Sequence, residues 1–182
     1  MKVRSEEGFG LIEMLVAIVM LNVGILALVA TFQSGAFALR RASHTSTAST
    51  LADSQMEIYR GLTYATIGLE SGQIASLDNT YTCDSALGSS CPNTITTCNS
   101  TGTSCTNGTV PAYACGAGNE CLPSRTINGP DHYNYRIDSY ITYVTPTNGR
   151  QLKQVTIVVR DANTPSRTLA RETSTFDPTV SG

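Results

Sequence analysis

The first feature of the chain is an almost unbroken apolar run from Phe9 to Phe32. Only Glu13 and Asn22, with Thr31 near its end, place polar side chains in it. As a helix, the run would span about 36 Å, which exceeds the roughly 30 Å of a membrane's hydrocarbon core. The pattern therefore predicts a helix that is long enough to cross a membrane.

Apolar side chains continue at helical spacing beyond this run. They are Ala48, Leu51, Ala52, Met56, Ile58, Tyr59 and Leu62. Gly61 is placed to end the helix, so the pattern predicts one helix over 9–60, about 78 Å long. Its second half would be amphipathic and would pack on a head domain. Met56 and Tyr59 are expected in the core, whereas His44, among Ser and Thr residues, is expected to be solvated.

The last third of the chain alternates apolar and polar residues, as half-buried strands do. The alternation predicts strands over 133–144, 153–159 and 167–176, with the third at an edge. One face of the first strand is apolar and would carry Tyr133, Tyr135, Ile137, Ile141 and Tyr143. Three antiparallel strands with one apolar face need a cover, and the amphipathic helix can supply it. The fold class predicted is α+β.

Between these parts, residues 63–130 show no sustained period and are predicted to be a cysteine-rich loop region. It contains all six cysteines: Cys83, Cys91, Cys98, Cys105, Cys115 and Cys121. None is spaced as the short pairs that bind structural zinc, so disulfides are favoured over a metal site. Disulfides require an oxidising compartment, which places everything after the apolar run outside the cytoplasm. The sequence leaves the pairing open among fifteen possibilities.

Charge changes this picture little. The formal net charge is −2, which argues against non-specific nucleic-acid binding through bulk charge. Residues 125–182 hold seven bases and five acids, and the excess is expected to lie on a solvated sheet face. That balance permits nucleic-acid binding but does not support it. No catalytic triad, metal motif or phosphate motif is present, so we expect neither an enzyme nor a cofactor.

The acid inside the apolar run carries the most information. A carboxylate within a membrane helix is costly unless it is paired or lies near the interface. No Lys or Arg occurs in the run, but cleavage after Gly8 would create a cation, the α-amino group of Phe9. A secretory signal is the alternative, with Ala36 to Ala38 as its cleavage site. The run is longer than the roughly 7–15 apolar residues of such signals, which disfavours it.

The residues Gly8-Phe9-Gly10-Leu11-Ile12-Glu13-Met14-Leu15-Val16-Ala17 resemble the prepilin signal of type IV pilins and pseudopilins. The resemblance implies that a prepilin peptidase cuts between Gly8 and Phe9 and methylates the new Phe9 amine. It further implies that Glu13 pairs with the N-terminus of a neighbouring subunit. Gly10 replaces the threonine that is more usual in the family.

Two later segments are most similar to PilV-type minor pilins: 20–28 (MLNVGILAL) and 51–57 (LADSQME). The resemblance implies a pilin-like fold, a long helix packed on a small antiparallel sheet. It divides the chain into a leader (1–8), a transmembrane and filament-core helix (9–32), its amphipathic continuation (33–62) and an extracytoplasmic head (63–182, with strands in 131–182).

The function implied is that of a minor pilin, a structural subunit of a type IV pilus. Its partners would be prepilin peptidase, other major and minor pilins, the inner-membrane assembly machinery and the membrane itself. The protein would cross a prokaryotic inner membrane once, with its N-terminus inside, before moving to the cell surface. The alternatives are a minor pseudopilin of a type II secretion system and a binding domain that is tethered to the membrane.

Overall fold

A computed structural model of the chain describes residues 10–70, 73, 77–87, 97–99, 110–113, 121–147 and 149–179. Nine helices and strands have both of their ends within these described residues. They are α1 (Leu11–Arg60), β1 (Leu69–Glu70), α2 (Asn79–Thr82), β2 (Thr97–Asn99), β3 (Val110–Tyr113), β4 (Ser124–Asn128), β5 (Asn134–Val144), β6 (Leu152–Asp161) and β7 (Thr168–Phe176). Short 3-10 turns cover Tyr64–Thr66 and Ser85–Leu87.

Helix α1 confirms the long helix that the hydrophobic pattern predicts. It runs without a break for 50 residues. It ends where expected, because the Gly61 amide donates to the Glu57 carbonyl at 3.0 Å and the Leu62 amide to the Tyr59 carbonyl at 3.2 Å. These bonds satisfy carbonyl groups that the last turn leaves without helical partners.

The chain divides into two compact units, Met1–Ser43 and His44–Gly182. The first unit consists, in its described part, of the N-terminal stretch of α1. The second, called the head below, contains the rest of α1 and all the strands.

The main sheet of the head has four antiparallel strands in the order β4-β5-β6-β7. The three predicted strands are confirmed as β5, β6 and β7, and β7 is at an edge as expected. The sequence did not predict β4, which falls in the region interpreted as loop. It pairs with β5 in a regular register, from Ser124 opposite Asp138 to Asn128 opposite Asn134.

The inner face of this sheet packs on α1, as the amphipathic pattern predicts. Ala48, Ala52, Met56 and Tyr59 of the helix are buried against sheet residues in one continuous core. The sheet contributes Tyr135, Ile137, Ile141, Val155, Ile157 and Val159. Met56 and Tyr59 are both inaccessible to solvent, which confirms their expected place in the core.

The outer face of the sheet is buried as well, which simple alternation does not predict. The segment 77–87, which includes α2, lies on it. Tyr81 stacks on Tyr140 with ring centroids 4.3 Å apart, and Val158 joins them in a second core. The Tyr81 hydroxyl donates to the Ser139 carbonyl at 2.6 Å, so its polar end is satisfied inside the protein.

A second, smaller sheet joins three short parallel strands in the order β1-β3-β2. Cys83 and Cys121 are both disulfide-bonded. Cys121 is buried, and its carbonyl accepts a hydrogen bond from the Glu70 amide at 2.9 Å. The side chain of Cys98 on β2, together with Cys91, Cys105 and Cys115, lies outside the described part, so the pairing stays open.

Candidate functional site

The N-terminal stretch of α1 presents an apolar surface to its surroundings. Seventeen large apolar side chains of the described chain are strongly exposed, and all of them lie between Leu11 and Leu39. Leu11 is 85% exposed and Phe32 is 78% exposed. Soluble proteins rarely expose an apolar surface of this extent, so it points to lipid or to partner helices. In the part of the chain that the structure describes, only α1 is long and apolar enough to cross a membrane.

The small residues Gly35 and Ala36 interrupt this apolar surface. They lie between larger side chains on one side of the helix and form a shallow apolar recess with Leu28, Phe32 and Leu39. A Cβ added at Gly35 would meet nothing within 4 Å in this unit. Small residues flanked by large ones allow another helix to approach closely.

Glu13 lies in the first turn of α1, at the start of the apolar surface. Its amide donates to the Gly10 carbonyl at 3.0 Å, so helical hydrogen bonding begins just before the acid. A carboxylate in the first turn faces the positive end of the helix dipole. The sequence from Leu11 to Leu39 has no basic residue. Gly8 and Phe9, the expected processing site, lie outside the described residues.

His44, the first residue of the head, lies in a polar cluster on α1. Its Nδ1 is 2.8 Å from Asp131 Oδ2, an oxygen that also accepts the Tyr135 hydroxyl at 2.6 Å. The Tyr133 ring stacks on the imidazole with centroids 4.2 Å apart. The expectation that His44 is solvated is therefore wrong, because the turn between β4 and β5 covers it.

This cluster holds its acid in the ionised form. Partial burial acts to raise the pKa of Asp131, but hydrogen bonds from Tyr135 and His44 outweigh it and lower that pKa below the usual value. The ionised Asp131 joins α1 to the β4–β5 turn at the point where the head begins.

The outer sheet face carries a network of arginines and aspartates. Arg160 Nε donates to Asp138 Oδ2 at 2.8 Å, and Arg136 Nε donates to Asp138 Oδ1 at 2.8 Å. Arg160 also pairs with Asp84, and Arg136 pairs with Asp78. The expectation of a solvated basic face is wrong here, because two acids of the segment 77–87 neutralise arginines of the sheet.

The network lowers the pKa of two of its acids, Asp78 and Asp84. Hydrogen bonds from Arg136 lower the pKa of Asp78 to about 2. Burial acts to raise the pKa of Asp84, but the Ala86 amide and the guanidinium groups of Arg171 and Arg160 lower it below its usual value. The network therefore fixes the segment 77–87, and Cys83 within it, on the sheet.

Lys153 of β6 is a buried base with no solvent exposure. Its Nζ donates to the carbonyl groups of Tyr64 and Ile67, each at 2.6 Å, and lies 4.7 Å from the centre of the Tyr64 ring. Burial lowers the pKa of Lys153 to about 8. Through these two hydrogen bonds, Lys153 holds the segment that follows α1 against the sheet.

Among the described residues, no three His, Cys, Asp or Glu side chains are grouped so as to hold a metal ion. Comparison with known proteins gives no family assignment: no family model, no curated protein and no solved structure matches this chain.

Proposed function

We propose that this chain is a minor pilin, a structural and assembly subunit of a type IV pilus. The observation that carries the proposal is the exposed apolar surface of α1 from Leu11 to Leu39, with a single acid, Glu13, in its first turn. A helix that served only as a membrane anchor would need nothing but apolar side chains. A carboxylate at the start of the surface is costly unless it lies at the interface or pairs with a cation, and the prepilin-like residues before it would supply that cation.

The mechanism begins at the cytoplasmic membrane. The helix holds the precursor there, and prepilin peptidase cleaves between Gly8 and Phe9 and methylates the Phe9 amine. The Glu13 carboxylate then pairs with the Phe9 amine of a neighbouring pilin, which sets the axial register. The apolar surface passes from lipid to the surfaces of other pilin helices, so its side chains remain out of water throughout.

The architecture of the head supports a structural role. Its amphipathic helix half is buried on an antiparallel sheet, which is the arrangement that the pilin resemblance implies. Ion pairs fix the segment 77–87, the part of the cysteine-rich region that carries Cys83, to the sheet. In this proposal the head carries that region on the pilus surface or tip, outside the membrane and in an oxidising environment.

Replacement of Glu13 by Ala tests the proposal. The variant should be cleaved nearly as well as the wild type, but its amount in sheared pilus fractions should fall at least about tenfold, the effect of losing roughly 1.4 kcal/mol or more. Glu6→Ala, in the leader, is the matched control and should assemble normally. Normal incorporation of Glu13→Ala would reject the pairing, and a wild-type chain that stays monomeric in the membrane would favour a tethered domain.

A further inference from the structure

Two arginines follow directly after the apolar surface of α1. The strongly exposed large apolar side chains of the described chain all lie between Leu11 and Leu39, and Arg40 and Arg41 come next. Both arginines are exposed. They belong to the same unbroken helix and the same compact unit as the apolar surface. The positive charge of this helix therefore begins abruptly, at the level where its apolar surface ends.

The rise of the helix fixes the height of these charges above Glu13. At about 1.5 Å per residue, the adjacent polar residues Gln33 and Ser34 lie about 30 Å from Glu13 along the axis. That distance matches the thickness of a membrane's hydrocarbon core, about 30 Å. Arg40 and Arg41 lie about 40 Å from Glu13, close to the roughly 40–45 Å of a bilayer with its headgroup layers. With Glu13 at one edge of the core, the arginines lie beside the headgroups at the other.

The length of the apolar surface agrees with this placement. From Leu11 to Leu39 the helix rises about 42 Å, which exceeds the core by about 12 Å. A tilt of about 20° shortens this height only to about 39 Å. The turn that carries Phe37 and Leu39 therefore reaches into the headgroup layer, directly before the arginines.

The chemistry of the pair suits phosphate. Side chains of an α-helix lean toward its N-terminus, so Arg40 and Arg41 reach back toward the membrane from their Cα atoms. As sequence neighbours they leave the helix about 100° apart and can meet lipids on two sides. A planar guanidinium presents its N–H groups in the geometry that binds phosphate oxygens in pairs. Glu13, the only acid in the sequence from Gly10 to Ser43, is too distant to neutralise them.

We propose that Arg40 and Arg41 bind the phosphate groups of lipid headgroups, at the end of the membrane span opposite Glu13. Their guanidinium groups donate to phosphate oxygens, and these contacts set the depth at which α1 lies in the bilayer. The proposal rests on the membrane span of the proposed function and not on assembly, so it holds equally for a tethered domain.

Solid-state NMR of the full-length chain in lipid bilayers tests the proposal through the dipolar coupling between arginine Cζ and lipid phosphorus. The vesicles contain phosphatidylethanolamine and phosphatidylglycerol in a buffer without phosphate, so lipid is the source of all the phosphorus. Every sample carries Arg4→Gln, because that leader base would lie near the opposite headgroups.

In this background, arginine Cζ should show carbon–phosphorus dephasing. The double variant Arg40→Gln and Arg41→Gln should remove most of it, because the carboxamides carry no labelled guanidinium carbon to the phosphate. The matched control is the double variant Arg150→Gln and Arg167→Gln, which changes two exposed arginines of the head and should keep the dephasing.

Transfer of magnetisation from the lipid acyl chains to leucine and isoleucine methyl groups, in the same samples, separates two ways to fail. Transfer without carbon–phosphorus dephasing would leave the helix in the membrane and overturn the phosphate contact. Absence of transfer would reject the membrane span, and the contact with it. Dephasing that the Arg40 and Arg41 double variant leaves unchanged would also overturn the proposal. None of these results depends on cleavage or assembly, which Glu13→Ala tests separately.

Discussion

Arg160 Nε lies 2.8 Å from Asp138 Oδ2, and both side chains are almost completely buried on the outer face of the sheet. The same guanidinium also pairs with Asp84 of the segment 77–87. One arginine therefore joins two strands of the sheet and the segment that covers them. Buried charges of this kind are costly when one partner is removed, because the other cannot return to water.

Arg160→Met should consequently destabilise the head by about 3–5 kcal/mol, since Asp138 and Asp84 would lose a buried partner. Urea unfolding of the full chain in detergent, followed by tyrosine fluorescence, measures the change. Arg150→Met is the matched control, because Arg150 pairs with Asp177 at the surface. That variant should cost less than about 1 kcal/mol. Equal losses in the two variants would refute the structural role given to the network.

The contact between His44 and Asp131 gives a second prediction. His44→Ala removes a half-buried hydrogen bond and the stacking of the imidazole on Tyr133, which together should cost about 1–2 kcal/mol. Hydrogen exchange should also become faster for the amides of the helix turn that follows residue 44. Ser43→Ala, an exposed position one residue earlier, should change neither quantity. Unchanged exchange in His44→Ala would show that this cluster does not hold the start of the head.

Because Lys153 is buried, we expect the free energy of unfolding to depend on pH in the alkaline range. Because its folded pKa of about 8 is lower than the usual 10.5, the unfolded chain binds more protons between these values. The free energy of unfolding should therefore rise with pH between about 8 and 10, with a slope of at most about 1.4 kcal/mol per pH unit.

Above about pH 10 the tyrosines reverse this trend. Burial raises the pKa of Tyr143 to about 12, so the unfolded state releases its proton first and becomes favoured. In Lys153→Met the rise between pH 8 and 10 should disappear, whereas Arg150→Met should retain it. A flat wild-type profile over this interval would contradict the burial of a charged Lys153.

The sequence predicts the elements whose hydrophobic period is long and regular. Helix α1 and strands β5, β6 and β7 all have such patterns, and the cover of the inner face follows from the amphipathic stretch that ends at Tyr59. The hydrophobic pattern does not predict strand β4, because its five residues, Ser124 to Asn128, contain only one large apolar side chain. Its pairing depends on the neighbouring β5.

The wrong expectations have a common physical cause. His44 looks solvated in the sequence because its neighbours are polar, and Arg136 and Arg160 look solvated because they alternate with apolar residues of the inner face. Their partners come from distant segments, 87 residues away for His44 and 76 for the pair of Arg160 with Asp84. One signal was available: the acids near α2 occur in a stretch without bases, opposite a basic sheet. Charge balance between segments could have indicated that the two pack together.

The central claim is that α1 is a pilin assembly helix, and the mass of the N-terminal peptide tests it most directly. The protein should be expressed from the full sequence in a host with prepilin peptidase, purified from membranes and digested. The account predicts a peptide that begins at Phe9 and carries one additional methyl group. A peptide that begins at Met1, or at Leu39 after cleavage by a signal peptidase, would contradict it.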